Sequence, residues 1–238
     1  MAERLRTIAK IIDHSLLHPT LADQDLAAGC QLARQLDVAA VCIKPYAVPL
    51  AREILAGSDV RVCTVIGFPH GGQHSEVKLR EAELALADGA VELDCVVNIG
   101  KVLSQDWAYV SEEVRLLNEL VIGAGGLLKV IFENDYLRDD AYKVQLCEIC
   151  NRHAVAFAKT STGYGFVKRE NGMYSYTGAT DHDLALMRQA CTSSIQIKAA
   201  GGIRTLDDVL RVRALGVTRV GATATEAILA EARRRGYR

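Results

Sequence analysis

Two lysines stand where a lysine is costly. Lys159 closes the apolar run Ala154 to Ala158 and is followed by Thr160, Ser161, Thr162 and Gly163; Lys198 closes Ile195-Gln196-Ile197 and is followed by Ala199-Ala200-Gly201-Gly202-Ile203-Arg204. Short apolar runs bounded by turn residues read as parallel strands covered on both faces. An ammonium there is either paired or has shed its proton. A lysine attacks a carbonyl only as the free amine, of which its ordinary pKa of about 10.4 leaves a trace at neutral pH. A neighbouring like charge disfavours protonation, and Lys198 is placed to be that neighbour of Lys159. The adduct must lose water to become an imine, and protons must move at the adjoining carbon, so an acid or base is required. Asp94, on another strand, is the candidate shuttle, with Asp13 as electrostatic support. An imine is an electron sink beside which a carbon–carbon bond breaks or forms. These residues together describe a lysine-dependent aldolase.

The elements that must position them alternate strictly. A short amphipathic helix is expected over Leu5 to Ile11, then a strand at Ile12 to Leu17. Asp23 is the expected cap of a helix Gln24 to Leu36. Strand Val38 to Ile43, a helix to about Ala56, strand Val60 to Ile66 and helix Ser75 to Ala87 follow, the last stopped by Asp88-Gly89. The fourth strand, Val91 to Val97, carries Glu92 and Asp94 on one side of its alternation, toward a barrel interior or its mouth. Helix Asp106 to Ile122, strand Leu127 to Phe132 with the polar exit Glu133-Asn134-Asp135, and helix Asp139 to Arg152 lead to the Lys159 strand. After a loop from Tyr164 to Ala179 come helix Asp181 to Ala190, the Lys198 strand, helix Leu206 to Leu215, strand Thr218 to Val220 and a helix from Thr225. Eight strand-helix units in one chain of this length predict an α/β protein, a single-domain (β/α)8 TIM barrel over residues 1–238, with chemistry at the carboxyl ends of the strands. Asp13, Asp94, Glu133, Lys159 and Lys198 all stand at such ends. A doubly wound open sheet also alternates, but no glycine-rich phosphate fingerprint follows the first strand.

Composition narrows the function classes. The 28 basic and 29 acidic residues leave a formal net charge of −1, which offers no general attraction for nucleic acid or an acidic membrane surface. A small-molecule partner is the expectation. No run reaches the length of a membrane span, and the start Met1-Ala2-Glu3-Arg4-Leu5-Arg6 lacks a signal-peptide apolar region, so a cytoplasmic protein is expected. Seven cysteines, with Cys42, Cys63 and Cys95 inside strand-like runs, read as reduced thiols used as small hydrophobes, without structural disulfides.

The motifs IDHSLLHP, VCIKP, TVIGFPHG, EVK, DGAVELDCVVNIG, LKVIFE, AKTSTG, GATDHDLALM and KAAGGIRT, in this order, closely resemble those of deoxyribose-phosphate aldolases over nearly the whole chain. KTSTG and KAxGGIRT are individually specific. The resemblance implies a class I, Schiff-base-forming aldolase that reversibly cleaves 2-deoxyribose 5-phosphate into acetaldehyde and glyceraldehyde 3-phosphate, with no cofactor and no metal. It assigns the imine to Lys159, perturbation and proton movement to Lys198, and proton transfer through a water to Asp94, with Asp13 and Thr160 in support. Phosphate and substrate binding would fall to Gly163, Gly201, Gly202, Arg204, Gly221 and Thr223. Two departures bear on the acceptor. The family's hydroxyl segment, GTSSG or GASS, here reads Gly221-Ala222-Thr223-Ala224-Thr225, keeping a hydroxyl at Thr223 and losing one at Ala224. Residues 164–178 look like an insertion on the active-site side, from which Lys168 and Arg169 could supply charge to a phosphate. Some relatives place a C-terminal tyrosine in the site; Tyr237 is the matching candidate.

Lys159 alone would read as a snorkelling or ion-paired side chain, and Asp94 as its structural partner. His14 with His18 and His70 with His74 have i, i+4 spacing but lack the glutamate of a zinc helix. Cys147 and Cys150 form a CxxC inside a predicted helix, where core packing is the expected role. Cys42, near the mouth, reads equally as a buried small residue and as a thiol open to alkylation by aldehydes. An aldolase using a different or unphosphorylated acceptor is the near alternative, and a non-catalytic sugar-phosphate-binding barrel the distant one. A homo-oligomer is possible, since outer helices can bury an apolar stripe against a copy.

Overall fold

The structure, a computed structural model, describes residues 5–238. Eight parallel strands close a barrel: β1 (Ile12–Leu16), β2 (Ala40–Ile43), β3 (Arg61–Ile66), β4 (Glu92–Val96), β5 (Leu127–Ile131), β6 (Phe157–Lys159), β9 (Gln196–Ala200) and β10 (Arg219–Ala222), with β1 paired to both β2 and β10. A small antiparallel pair, β7 (Val167–Lys168) and β8 (Tyr174–Ser175), stands apart from the barrel within the expected loop. Ten helices accompany them among the described residues: α1 (Leu5–Ala9), α2 (Asp23–Gln35), α3 (Val48–Leu55), α4 (Ser75–Asp88), α5 (Ile99–Leu103), α6 (Trp107–Gly123), α7 (Asp140–Arg152), α8 (Asp181–Ala190), α9 (Leu206–Ala214) and α10 (Thr225–Arg234). None is long and apolar enough to cross a membrane.

The outer layer is held by apolar stripes. On α6, Val110, Val114, Leu117 and Val121 recur at intervals of three and four and are all buried. Burying each such side chain fully is worth about 1.5–3 kcal/mol. Strand residues that alternate with them point the other way, into the barrel, and there charge replaces hydrocarbon. The register pairs Asp94 with Lys129, Lys129 with Phe157, Lys159 with Lys198, and Lys198 with Arg219. Because side-chain direction has period two, these partners share the interior face and meet across neighbouring strands.

Several expected boundaries move for identifiable reasons. The helix expected to be capped by Asp23 begins at Asp23, with Ala22 before it; the Ala22 N–H donates to the Asp25 carboxylate, 2.8 Å away. The strand expected from Ala154 starts only at Phe157, because Ala154 adopts a left-handed φ of 50°. Helix α5 follows Asn98, whose side chain accepts from the Lys101 N–H, in a stretch where no helix was expected. The segment 164–178 is ordered by the β7–β8 hairpin. Near its end Gly178, at φ 74°, lies against Gly201; a Cβ there would come within 2.5 Å of the Gly201 carbonyl oxygen, so only glycine fits.

Candidate active site

Seven charged side chains meet inside the barrel. Asp94 lies at the centre, fully buried, one oxygen 2.7 Å from Lys159 Nζ and 2.6 Å from Lys198 Nζ, the other 2.8 Å from Lys129 Nζ. Lys198 also pairs closely with Asp13. Lys129 reaches Glu92 at 2.6 Å and Asp13 at 3.5 Å, and Arg219 binds Asp13 at 2.6 Å and Glu92 at 2.9 Å. Three carboxylates thus face four cations. The half-exposed Arg61 adds a longer contact to Glu92, at 3.3 Å, where solvent screens it.

The network sets protonation. Burial by itself would raise the Asp94 carboxyl, but Lys129, Lys159 and Lys198 outweigh it and hold Asp94 well below the ordinary carboxylate range. Burial is likewise overcome at Asp13 by Lys198, Lys129 and Arg219, so Asp13 is also held low. For Lys198 burial works toward the neutral amine, yet Asp13 and Asp94 prevail and keep its ammonium above the ordinary lysine value. Lys198 is therefore a standing positive charge beside Lys159. The two amines share a single Asp94 oxygen, and Lys159 has the fewest carboxylate partners of the three lysines.

Above this floor opens a cavity of about 490 Å³, lined by Asp13, Lys159 and Lys198 at its base and by Gly163, Gly201, Gly202, Arg204, Gly221 and Thr223 around its wall. Gly163, Gly201, Gly202, Arg204 and Thr223 follow β6, β9 or β10, and Gly221 is in β10 itself. The first helical turn of α10 begins three residues after Ala222, at Thr225, and free N–H groups at a helix start favour an anion. Thr160 stays beneath, fully buried: its hydroxyl donates to the Ala200 carbonyl at 3.2 Å and accepts the Ala200 N–H at 3.1 Å, tying β6 to β9.

The structure brings Lys159, Lys198, Asp94 and Asp13 together and sets other expected residues apart. Asp94, expected across the mouth, is below it and does not line the cavity. Lys168 and Arg169 do not line it either; Arg169 donates to Ser175 at 2.8 Å and Thr177 at 2.9 Å and closes the hairpin on itself. Tyr237 is at the opposite end of the barrel. There it packs partly buried against the core, and the adjoining Arg238 carbonyl accepts the Leu5 N–H at 2.8 Å, beside the helix that precedes β1. His14 is buried with Nδ1 2.8 Å from Thr225 Oγ1, whereas His18 is exposed and bonds Thr20. His74 accepts from the Glu76 N–H at the start of α4, and His70 is exposed. Cys147 and Cys150 are buried in α7, and Cys42 is buried at the cavity wall. Cys42, Cys63 and Asp94 approach one another closely enough for a metal, but three ammoniums around Asp94 oppose a cation there.

Sequence reasoning missed Lys129 and Arg219, and left Glu92 and Glu133 without partners. A lysine inside Leu127-Leu128-Lys129-Val130-Ile131 carries the same anomaly as Lys159, without a strand end to draw attention. Glu133, just past β5 and in the left-handed region at φ 60°, is buried and accepts both the hydroxyl and the N–H of Thr162. It thereby braces the turn that presents Gly163 to the cavity.

Residues 7–224 match the family model described as DeoC/LacD family aldolase. The chain is 50% identical over 227 residues to a deoxyribose-phosphate aldolase of Rhodopirellula baltica, covering 95% of this chain and 90% of that one. With a deoxyribose-phosphate aldolase of Caldanaerobacter subterraneus it shares 39% over 235 residues, 98% of this chain and 97% of the other. Among solved structures it superposes on the tetrameric deoxyribose phosphate aldolase of Aeropyrum pernix with a TM-score of 0.84 at 27% identity, covering 95% of this chain and 91% of that chain. A lysine pair over a buried carboxylate, at the carboxyl mouth of a parallel barrel, stands in a chain related along nearly its full length to enzymes of one kind: the chain is an aldolase, and it belongs to the DeoC/LacD family.

Proposed function

We propose that this aldolase cleaves 2-deoxyribose 5-phosphate reversibly into acetaldehyde and glyceraldehyde 3-phosphate through an imine on Lys159. The observation that carries the reading is the sharing of one Asp94 oxygen by Lys159 and Lys198 at the base of a cavity whose far wall is made of glycine turns. Lys159 attacks the substrate's aldehyde carbon, and the carbinolamine loses water to give the iminium. The hydroxyl on the third carbon gives up its proton, the bond between the second and third carbons breaks, and its electron pair flows into the iminium to leave an enamine. Glyceraldehyde 3-phosphate departs. Protonation of the enamine carbon and hydrolysis then release acetaldehyde and restore the amine. Lys198, held cationic beside Lys159, serves as a proton donor; Asp94, held ionised, supplies the acceptor through a water. Gly163, Gly201, Gly202, Gly221 and Thr223, with Arg204, hold the phosphate end. The Rhodopirellula relative's name supports the substrate.

Borohydride reduction in the presence of acetaldehyde, followed by peptide mass mapping, tests the mechanism. A stable adduct is expected on the Lys159 peptide, absent in Lys159→Leu and weakened in Lys198→Leu. A folded wild type that takes no label would refute the imine. An aldolase of the same mechanism acting on an unphosphorylated acceptor is the second reading, favoured by Ala224, which leaves the turn before α10 with one hydroxyl fewer than the family pattern. Turnover of deoxyribose with and without its 5-phosphate separates the two.

A further inference from the structure

The cavity over Lys159 is larger than a three-carbon phosphate fills. At about 490 Å³ it lies in the range that holds drug-sized ligands. Beside polar residues such as Ser15 and His18, the wall carries a cluster of aromatic rings. Tyr164, Phe166 and Tyr176, all from segment 164–178, line it together with Leu17 and Ile203. Tyr176 lies over the glycine turn after β9: a Cβ on Gly201 would stand 3.5 Å from its ring. Phe166 meets Tyr176 edge to face at 5.4 Å between centroids, and Tyr164 meets Phe68 in the same way at 5.5 Å. Phe166 nonetheless keeps 45% of its surface open, so its face is available to a ligand.

The rings are held in place beforehand. Asp135 accepts the Thr177 and Gly178 N–H groups at 2.6 and 2.9 Å, the Tyr136 hydroxyl donates to the Phe166 carbonyl at 3.3 Å, and the Ala179 N–H donates to the Gly201 carbonyl at 3.1 Å. Of the hairpin's two cations, Arg169 is consumed in closing it and Lys168 does not line the cavity. What the segment offers the cavity is therefore flat apolar surface at fixed position, which lowers the ordering cost of binding a matching group. Glyceraldehyde 3-phosphate, an aldehyde with one hydroxyl and a phosphate, has no such group.

We propose that segment 164–178 builds an aromatic acceptor subsite, through which this chain adds acetaldehyde to aldehydes carrying an aryl group one or two carbons from the carbonyl. The inference rests on the Lys159 imine mechanism proposed above. In the step itself the enamine carbon of bound acetaldehyde forms the new bond to the acceptor's carbonyl carbon. The acceptor oxygen takes a proton, and water hydrolyses the imine to release a 3-hydroxy aldehyde. No oxidant or reductant is involved.

The experiment compares kcat/KM for addition of acetaldehyde to phenylacetaldehyde with that for glyceraldehyde 3-phosphate, in wild type, Phe166→Ala, Tyr176→Ala and Tyr176→Phe. Wild type forms the aryl adduct, and the aryl-to-phosphate ratio falls roughly five- to thirty-fold in each alanine variant, as loss of an aromatic contact and its buried area requires. Tyr176→Phe keeps the ring and holds the ratio. The proposal is overturned if wild type makes no aryl adduct although acetaldehyde and borohydride still label Lys159, if the alanine variants leave the ratio unchanged or raise it, or if Tyr176→Phe falls as far as Tyr176→Ala. Absence of the label itself points instead to failure of the imine mechanism.

Discussion

Glu133→Gln isolates the electrostatic cost of one buried carboxyl. Glu133 has no surface exposure, and burial raises its pKa from 4.5 to about 6 against the opposing pull of two hydrogen bonds from Thr162. The native value exceeds the unfolded one, so the folded state binds this proton more tightly. Below about pH 4.5 both states are protonated and the group is neutral to stability. Between 4.5 and about 6 the unfolded chain ionises first, and folding becomes progressively less favourable. Above about 6 the full cost is present: a shift of about 1.5 units at about 1.4 kcal/mol each is about 2 kcal/mol. Glutamine cannot ionise, and any difference in its hydrogen bonds to Thr162 is an offset independent of pH. Urea unfolding followed by the fluorescence of the sole tryptophan, Trp107, from about pH 4 to about pH 7.5, measures wild type against Glu133→Gln. Wild type should lose about 2 kcal/mol relative to the variant across that range, while the Asp13 and Asp94 networks, common to both, cancel. A flat difference, or one in which wild type gains as pH rises, refutes the assignment.

Lys129→Met removes the cation that bridges Glu92, Asp94 and Asp13 and leaves buried carboxylates short of a partner; a loss of about 3–5 kcal/mol is expected in urea unfolding. In combination with Asp94→Asn the loss should be smaller than the sum of the single variants, because the two side chains share one contact. Gly201→Ala forces a side chain into φ 82° and to 2.9 Å from Gly178 Cα, so it should cost about 2–4 kcal/mol and raise KM for the phosphorylated substrate by displacing the hairpin from the turn. The urea midpoint and steady-state kinetics check it.

What the sequence disclosed, and what it withheld, follows from the range over which each signal acts. Lys159 and Lys198 are visible because each closes an apolar run, and the rule that barrels do chemistry at strand ends turns position into an expectation. Asp13 and Asp94 are visible as carboxylates within apolar runs, but the structure places Asp13 second in β1 and Asp94 in the middle of β4 and not at the carboxyl ends. Glu92 and Asp94, two apart, disclose a shared face by alternation alone. The ring of charge they join is not visible. Lys129 meets Asp94 from 35 positions away and Arg219 meets Asp13 from 206, distances that only the closed register brings to zero. Glu133 was noticed as a strand exit, but its role depends on Thr162, 29 residues on. Tyr237 fails for the complementary reason: its proximity to the chain end invited a place in the site, whereas the direction of α10 carries it to the other face of the barrel.

Under the imine mechanism proposed above, the same closure sets Lys159 apart from the other two lysines. Lys129 touches three carboxylates and Lys198 two, and neither can leave its partners without stranding buried negative charge. Lys159 touches Asp94 alone, on the oxygen that Lys198 already serves. Lys159, at the cavity base with one shared counterion, can leave it with every carboxylate still paired.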